Sequence, residues 1–291
     1  ELVVGKGTGW TPEALREEFE RRFQRPNRPC VVRGACADWP ACARWSRAYL
    51  EEAYGANPAV VGGYEMGVAD YHRYCDAVES GATVDDQPLY LFDKHFASRA
   101  PRLARDYGVP AFLGEDLFAL LGEEGRPAYR WLIAGPSRSG SSWHKDPNAT
   151  SAWNCLVRGR KRWLMAPPSA PPPGVGASAD GADVTQPVSS VEWLINYYEA
   201  ARDEGALLEC TAEAGDMVFV PRGWWHMALN LEESVAVTQN FVSRAALPHV
   251  RRLPGHRAWS HRSLRRGRHA AGHCRSASPE HPARHPVSMI A

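Results

Sequence analysis

No stretch of the 291-residue chain holds the 18 or so consecutive apolar residues that a membrane-crossing helix needs, so no membrane span is expected. Its opening lacks the basic, apolar and small-residue sections of a secretory signal. It starts on Glu1 and is read as a piece or a processed form of a longer product. No segment recurs at a fixed period, which excludes a solenoid. The seven cysteines never form a C-x2-C pair; Cys30, Cys36 and Cys42 follow one another at even C-x5-C spacing, with Cys75, Cys155, Cys210 and Cys274 scattered beyond. That excludes a structural zinc ribbon and leaves buried free thiols in a reducing compartment, hence an intracellular protein.

Acidic residues are all but absent from one end. The formal net charge is +1, yet residues 249–291 carry nine Arg and a single acid, Glu280, for a net +8. The preceding 248 residues therefore sum to −7. The basic end holds seven of the eleven histidines and has no hydrophobic periodicity. Residues 248–291 are read as a disordered tail able to make weak, salt-dependent contacts with nucleic acid. The acidic body favours a basic protein or peptide as substrate.

What is present divides the rest in two. Residues 1–128 read as a largely helical part with a few strands. Thr11 and Pro12 open a helix whose Leu15, Phe19 and Phe23 share a face. "WSRAYLEEAYG" and "DYHRYCDAVESG" follow the same grammar, while "PCVVRGA" and "QPLYLFD" are strand-like. From Tyr129 to Leu247 short strands alternate with Gly/Pro/Ser turns, including a hairpin about Arg158-Gly159. A Pro/Gly-rich loop over 168–190 and a capped helix in "SSVEWLINYYEAARDEG" interrupt them. The fold class is mainly β with flanking helices, a sandwich or barrel.

Within this β part, "SSWHKDP" sets His144 and Asp146 two positions apart, on one face of a strand. "GDMVFVPRGWWHMALNL" delivers His226 from a distant strand. A His-x-Asp pair alone is usually a surface or capping feature. With a second His it forms the facial triad of non-haem Fe(II) oxygenases, which leaves coordination positions open for a cosubstrate and O2. Zinc accepts the same ligands. Lys161 lies on the strand after the hairpin, between Arg160 and Arg162, which face outward if it faces inward. An ammonium inside a barrel demands an anionic partner, and a dicarboxylate held at the metal supplies one. Asn154, Thr238 and Asn240 are polar positions on apolar strands, either satisfied core groups or carboxylate contacts. Trp131, Trp143, Trp224 and Trp225 are candidate walls of the same pocket.

"HKDPNATSAWNCLVRGRKRW" and "GDMVFVPRGWWHMALNLEESVAVTQNF" resemble the two halves of a Jumonji-C (JmjC) domain of the Fe(II)- and 2-oxoglutarate-dependent dioxygenases. The likeness is nearest to the branch of the bifunctional arginine demethylase and lysyl-hydroxylase and the F-box-associated JmjC proteins of fungi and plants. It runs from about "RPCVVRGACADWP" to Val242 and implies a double-stranded β-helix, the cupin-like jelly roll. It also implies His144, Asp146 and His226 as Fe(II) ligands and Lys161 as the partner of the distal carboxylate of 2-oxoglutarate. Ser141, Asn154, Thr238 and Tyr90 fall where the family lines the cosubstrate pocket. The implied activity is oxygenation of a protein side chain, as lysyl hydroxylation or N-methyl demethylation, in the nucleus rather than the cytoplasm. Base hydroxylation in nucleic acid and a non-catalytic cupin-like module are the alternatives. No F-box precedes the domain, and the helices that support dimerisation in the animal branch have no evident counterpart, which leaves the oligomeric state open.

Overall fold

The computed structural model describes residues 2–3, 9–178, 184–185, 189–205 and 207–250. Of the tail read as disordered over 248–291, residues 248–250 instead complete a short helical turn begun at Leu247; residues 251–291, on which the nucleic-acid reading rests, lie outside the described residues. The N-terminal part supplies β1 (Leu2–Val3), β2 (Cys30–Arg33), β3 (Pro58–Val61), β4 (Tyr64–Gly67) and β5 (Leu91–Asp93). Then come β6 (Arg130–Gly135), β7 (Gly140–His144), β8 (Ser151–Arg158), β9 (Arg160–Ala166) and the short pair β10 (Gly176–Ala177) and β11 (Val184–Thr185). The last four are β12 (Leu208–Glu213), β13 (Met217–Val220), β14 (Trp225–Asn230) and β15 (Ser234–Phe241).

These strands form a nine-stranded sheet in the order β1-β2-β13-β8-β15-β6-β5-β3-β4 and a four-stranded sheet in the order β12-β9-β14-β7. Every pairing in them is antiparallel except β1 with β2. Because side chains alternate along a strand, each sheet sorts its residues between two layers. Ala152, Leu156, Val218 and Ala236 from the large sheet meet Trp163, Met165, Ala212 and Ala228 from the small one, forming the inner layer. Trp153, Cys155, Val157 and Val237 point the other way and pack on Phe19, Trp45, Leu50 and Tyr71 of the N-terminal helices. Behind the small sheet, Leu164, Ala166, Trp225 and Met227 pack on Trp193 and Ala201. The result is the expected jelly roll, with a helical layer on each outer face.

The N-terminal helices form where the sequence marks them. In α1 (Pro12–Phe19) the Thr11 hydroxyl accepts from Ala14 N at 3.2 Å, and a wider π turn carries the helix on to Gln24. After α2 (Pro40–Arg44) comes α3 (Arg47–Tyr54), capped by Ser46. Asp106 ties the two together, accepting from Arg44, from Trp45 Nε1 at 3.0 Å and from Tyr49 OH at 2.7 Å. α4 (Val68–Glu79) buries Tyr71, Cys75 and Val78.

Three elements differ from the sequence reading. β3 and β4 form a hairpin about Gly62-Gly63, which carry φ of +56° and +89°. The helix expected over 189–205 is two, Ser190–Asn196 and Tyr198–Asp203, broken at Tyr197. "GEDLFALLGEEG", whose pattern alone reads as a short helix, is a 3₁₀ segment over Leu117–Leu121 followed by a single turn.

Candidate metal centre

His144 closes β7, and Asp146 follows two residues on. His226 on β14 stands directly opposite His144 in the register of the two strands. The ligand atoms of His144, Asp146 and His226 all lie within 4.8 Å of one another, and the imidazole centroids are 4.1 Å apart. Each imidazole is held through Nδ1 by a backbone carbonyl, Ser142 O at 2.7 Å for His144 and Trp224 O at 3.1 Å for His226. A carbonyl only accepts, so the proton sits on Nδ1 and each Nε2 lone pair is left for the interior. Burial, with His144 close by, holds His226 well below the ordinary histidine pKa. At His226 burial outweighs the bond to Trp224 O, which works the other way, and favours the neutral imidazole that a metal requires.

Asp146 completes the set. One carboxylate oxygen, Oδ2, is buried with no hydrogen-bond partner. Burial pushes the carboxyl upward; His144 and a hydrogen bond from the Asn240 side chain pull it back. Asn240 Nδ2 also donates to Thr150 Oγ1 at 2.9 Å, so the amide that steadies Asp146 is itself fixed. A buried orphan oxygen beside two inward nitrogen lone pairs fits a divalent metal bound on one face. The donor set suits Fe(II), and zinc takes the same atoms.

Lys161 lies on the same inner face. It pairs in register with Ala212 and Asn230, is 1% exposed, and donates to Tyr90 OH at 2.7 Å. Among the described residues it has no acidic partner, and burial pushes its ammonium down to about 7. The Tyr90 phenol is pushed upward by burial, so it stays protonated. With its oxygen accepting from Lys161, its own O–H remains to donate. Arg160 and Arg162 face away, toward Glu232 and Glu209, as alternation requires. An uncompensated interior cation beside a free phenol O–H fits the distal carboxylate of a dicarboxylate.

Of the other positions read from the sequence, Asn154 and Thr238 are register partners on the inner face of the large sheet. Thr238 Oγ1 donates to Trp153 O at 2.9 Å. Ser141 comes inward through a register shift. His226 pairs with His144 and Ala228 with Ser141, so a bulge lets residues three apart share one face. Trp143 and Trp225 do not wall the pocket: both alternate to the outer face of the small sheet, where Trp143 packs edge-on against Trp193 at 5.0 Å. Trp224 joins the inner layer, and Trp131 stacks on half-exposed Phe92 at the rim, 5.4 Å between centroids. Trp163 does face the centre: its ring stacks 6.3 Å from His226 and its Nε1 has no partner. Asn230 is the other omission. Its amide donates to Gly135 O and Ser139 Oγ, beside Lys161. Counting two residues on from Lys161 would have found Trp163; Asn230 needs the β9–β14 register, which the sequence does not display.

Residues 16–246 match a single protein family, described as cupin-like domain. The chain belongs to that family. The match spans both sheets except the edge strand β1 and includes all the residues of the centre, and the JmjC resemblance carried by residues 144–163 and 215–241 holds. Among relatives of this cupin-like chain, the arginine-specific demethylase JMJ22 of Arabidopsis thaliana is 48% identical over 235 residues, covering 80% of this chain and 46% of that protein. The bifunctional arginine demethylase and lysyl-hydroxylase psr-1 of Caenorhabditis elegans is 37% identical over 78% of this chain and 58% of its own. The human 2-oxoglutarate and iron-dependent oxygenase JMJD4 is 29% identical over 78% of this chain and 58% of its own. The chain thus spans about half the length of these relatives.

Proposed function

We propose that this chain is an Fe(II)- and 2-oxoglutarate-dependent oxygenase acting on a protein side chain, through lysyl hydroxylation or N-methyl-arginine or -lysine demethylation. The observation that carries the reading is the pairing, within one inner layer, of a three-donor face at His144, Asp146 and His226 with a buried cation at Lys161. Fe(II), 2-oxoglutarate and O2 would together supply the oxidation of an unactivated C–H bond, with succinate and CO2 as coproducts. His144, Asp146 and His226 would hold the metal, their Nδ1 and Asn240 contacts fixing its orientation before any substrate arrives. Lys161 and the Tyr90 O–H would fix the distal carboxylate of 2-oxoglutarate. Asn154, Thr238 and Ser141 would line the space between, and Trp163 would exclude water beneath His226.

The names of the relatives point to arginine and lysine side chains as targets. The negative charge of the body is in keeping with a basic target. The test is mass spectrometry of methylarginine and lysine peptides incubated with protein, Fe(II) and 2-oxoglutarate, alongside a succinate assay. Wild-type protein is expected to add 16 Da or remove 14 Da, and His226→Ala to produce no succinate. Full succinate production by His226→Ala, or an iron-loaded wild type that leaves 2-oxoglutarate untouched, would refute the reading.

A further inference from the structure

At the rim of the large sheet lies a second hollow, of about 320 Å³, lined among others by Lys94, Ser98, Arg126, Tyr129 and Arg130. Three cations converge on it. Arg126 is paired with Asp116, and its guanidinium carbon lies 3.3 Å from the centre of the Tyr129 ring. Arg130 lies 5.3 Å from the same ring and bonds the neutral Tyr107 phenol. Neither Arg130 nor Lys94 has an acidic partner among the described residues. The hollow is therefore net +2 on a body that is net −7, a local reversal of sign that the packing of the fold does not require.

Its position matters as much as its charge. Tyr129 O accepts from Asn240 N at 2.6 Å, and Arg126 Nη2 reaches Asn240 O at 3.4 Å. Asn240 is the residue whose side chain bonds Asp146. One residue thus separates the cationic hollow from the metal centre, with the Phe92–Trp131 stack on the adjoining rim.

We propose that this hollow binds a phosphorylated side chain of the protein substrate, close in sequence to the residue being oxidised; this rests on the reading above that the substrate is a protein. A phosphate monoester carries about −1.5 to −2 at pH 7 and so balances a net +2. A carboxylate, or one phosphodiester of a nucleic acid, carries a single charge and leaves a cation uncompensated. The planar guanidinium of Arg130, beside the Tyr129 ring, presents N–H donors to phosphate oxygens and Lys94 adds a point charge, while Arg126, engaged with Asp116 and Asn240 O, holds the other side of the ring. Phosphorylation of the partner would then strengthen its docking beside the metal.

The test is calorimetric binding without iron or 2-oxoglutarate, so that it reads the hollow even in a protein that proves inert as an oxygenase. The probes are a short arginine-containing peptide with one phosphoserine, its aspartate and serine counterparts, and a single-stranded RNA oligomer. The phosphopeptide is expected to bind at least about tenfold more tightly than the serine peptide. Lys94→Ala and Arg130→Gln should each weaken it by about tenfold, the worth of one charge-assisted hydrogen bond. Arg73→Ala, which removes an exposed cation elsewhere, should leave it unchanged. Equal affinity for phosphoserine and serine peptides, or phosphopeptide binding indifferent to Lys94 and Arg130, overturns the proposal. An aspartate peptide as tight as the phosphopeptide overturns the assignment to phosphate. RNA binding that alone depends on Lys94 and Arg130 overturns it in favour of nucleic acid.

Discussion

Lys161 offers the sharpest test of the site, because its two roles pull in opposite directions. The ordinary lysine value is 10.5 and burial brings Lys161 to about 7; at about 1.36 kcal/mol per pH unit, a charged Lys161 costs the ligand-free protein on the order of 5 kcal/mol. Between pH 7 and 10 the unfolded chain binds more protons at this residue than the folded one. Stability of the ligand-free protein therefore rises with pH across that window, and the full penalty applies below about pH 7. Lys161→Met removes the penalty, so at pH 6 the ligand-free variant should melt at a higher temperature than wild type. Binding of 2-oxoglutarate should change the other way. Losing the cation leaves a buried carboxylate unpaired, which costs about 2–4 kcal/mol, or roughly 30- to 1,000-fold in affinity. In wild type only the ammonium form binds, so affinity should fall about tenfold from pH 6 to pH 8 and roughly another tenfold by pH 9. Lys161→Arg should bind weakly because the fork is wider than the ammonium, but without that pH dependence. The assay is anaerobic calorimetry with Fe(II) present, paired with melting curves of the ligand-free proteins. Unchanged affinity in Lys161→Met, or a flat wild-type profile from pH 6 to 9, would show that another group anchors the cosubstrate.

Two further perturbations test the metal centre. A Cβ on Gly140 would land on the carbonyl oxygen of Ala228, on the strand that carries His226. Gly140→Ala should cost about 2 kcal/mol, lower the melting temperature by roughly 4–8 °C, and weaken metal binding by separating His144 from His226; a variant that melts like wild type would refute the close approach. Asn240→Ala frees Asp146 while leaving the three ligands in place, so metal affinity, read by titration with Fe(II) or Mn(II), should fall about 10- to 100-fold; an unchanged affinity would mean that Asn240 does not orient the carboxylate.

Much of this site is legible because its logic is local. The i, i+2 spacing of His144 and Asp146, the hairpin at Gly159 with φ of +84°, and the inward Lys161 between two outward arginines all follow from strand alternation within a few residues. What stayed hidden depends on register between distant strands. Alternation alone sends Ser141 to the face opposite His144, and only the bulge against β14 returns it. Trp143 and Trp225 looked like pocket walls because they adjoin the ligands in sequence, but adjacency on a strand places them on the opposite face. The β3–β4 hairpin was written in "VVGGYE", a Gly-Gly pair between short apolar runs, and was obscured by the helical patterns on either side. The cationic hollow is assembled from positions 94 to 98 and 126 to 130, neither of which stands out alone.

The pairing of β2 with β13 also sets a timetable for synthesis. Val31 and Val32 find their antiparallel partners only at Val218 and Met217, near the far end of the described chain. At a translation rate of 5–20 residues per second, the interval between those segments is on the order of ten to forty seconds. Throughout it, the apolar sides of α1 and α3 face solvent or a chaperone, since the large sheet that covers them is not yet complete. His144 likewise waits for His226, so a metal arriving early meets only part of its final set of ligands. Full coordination can form only once β14 has emerged and paired with β7.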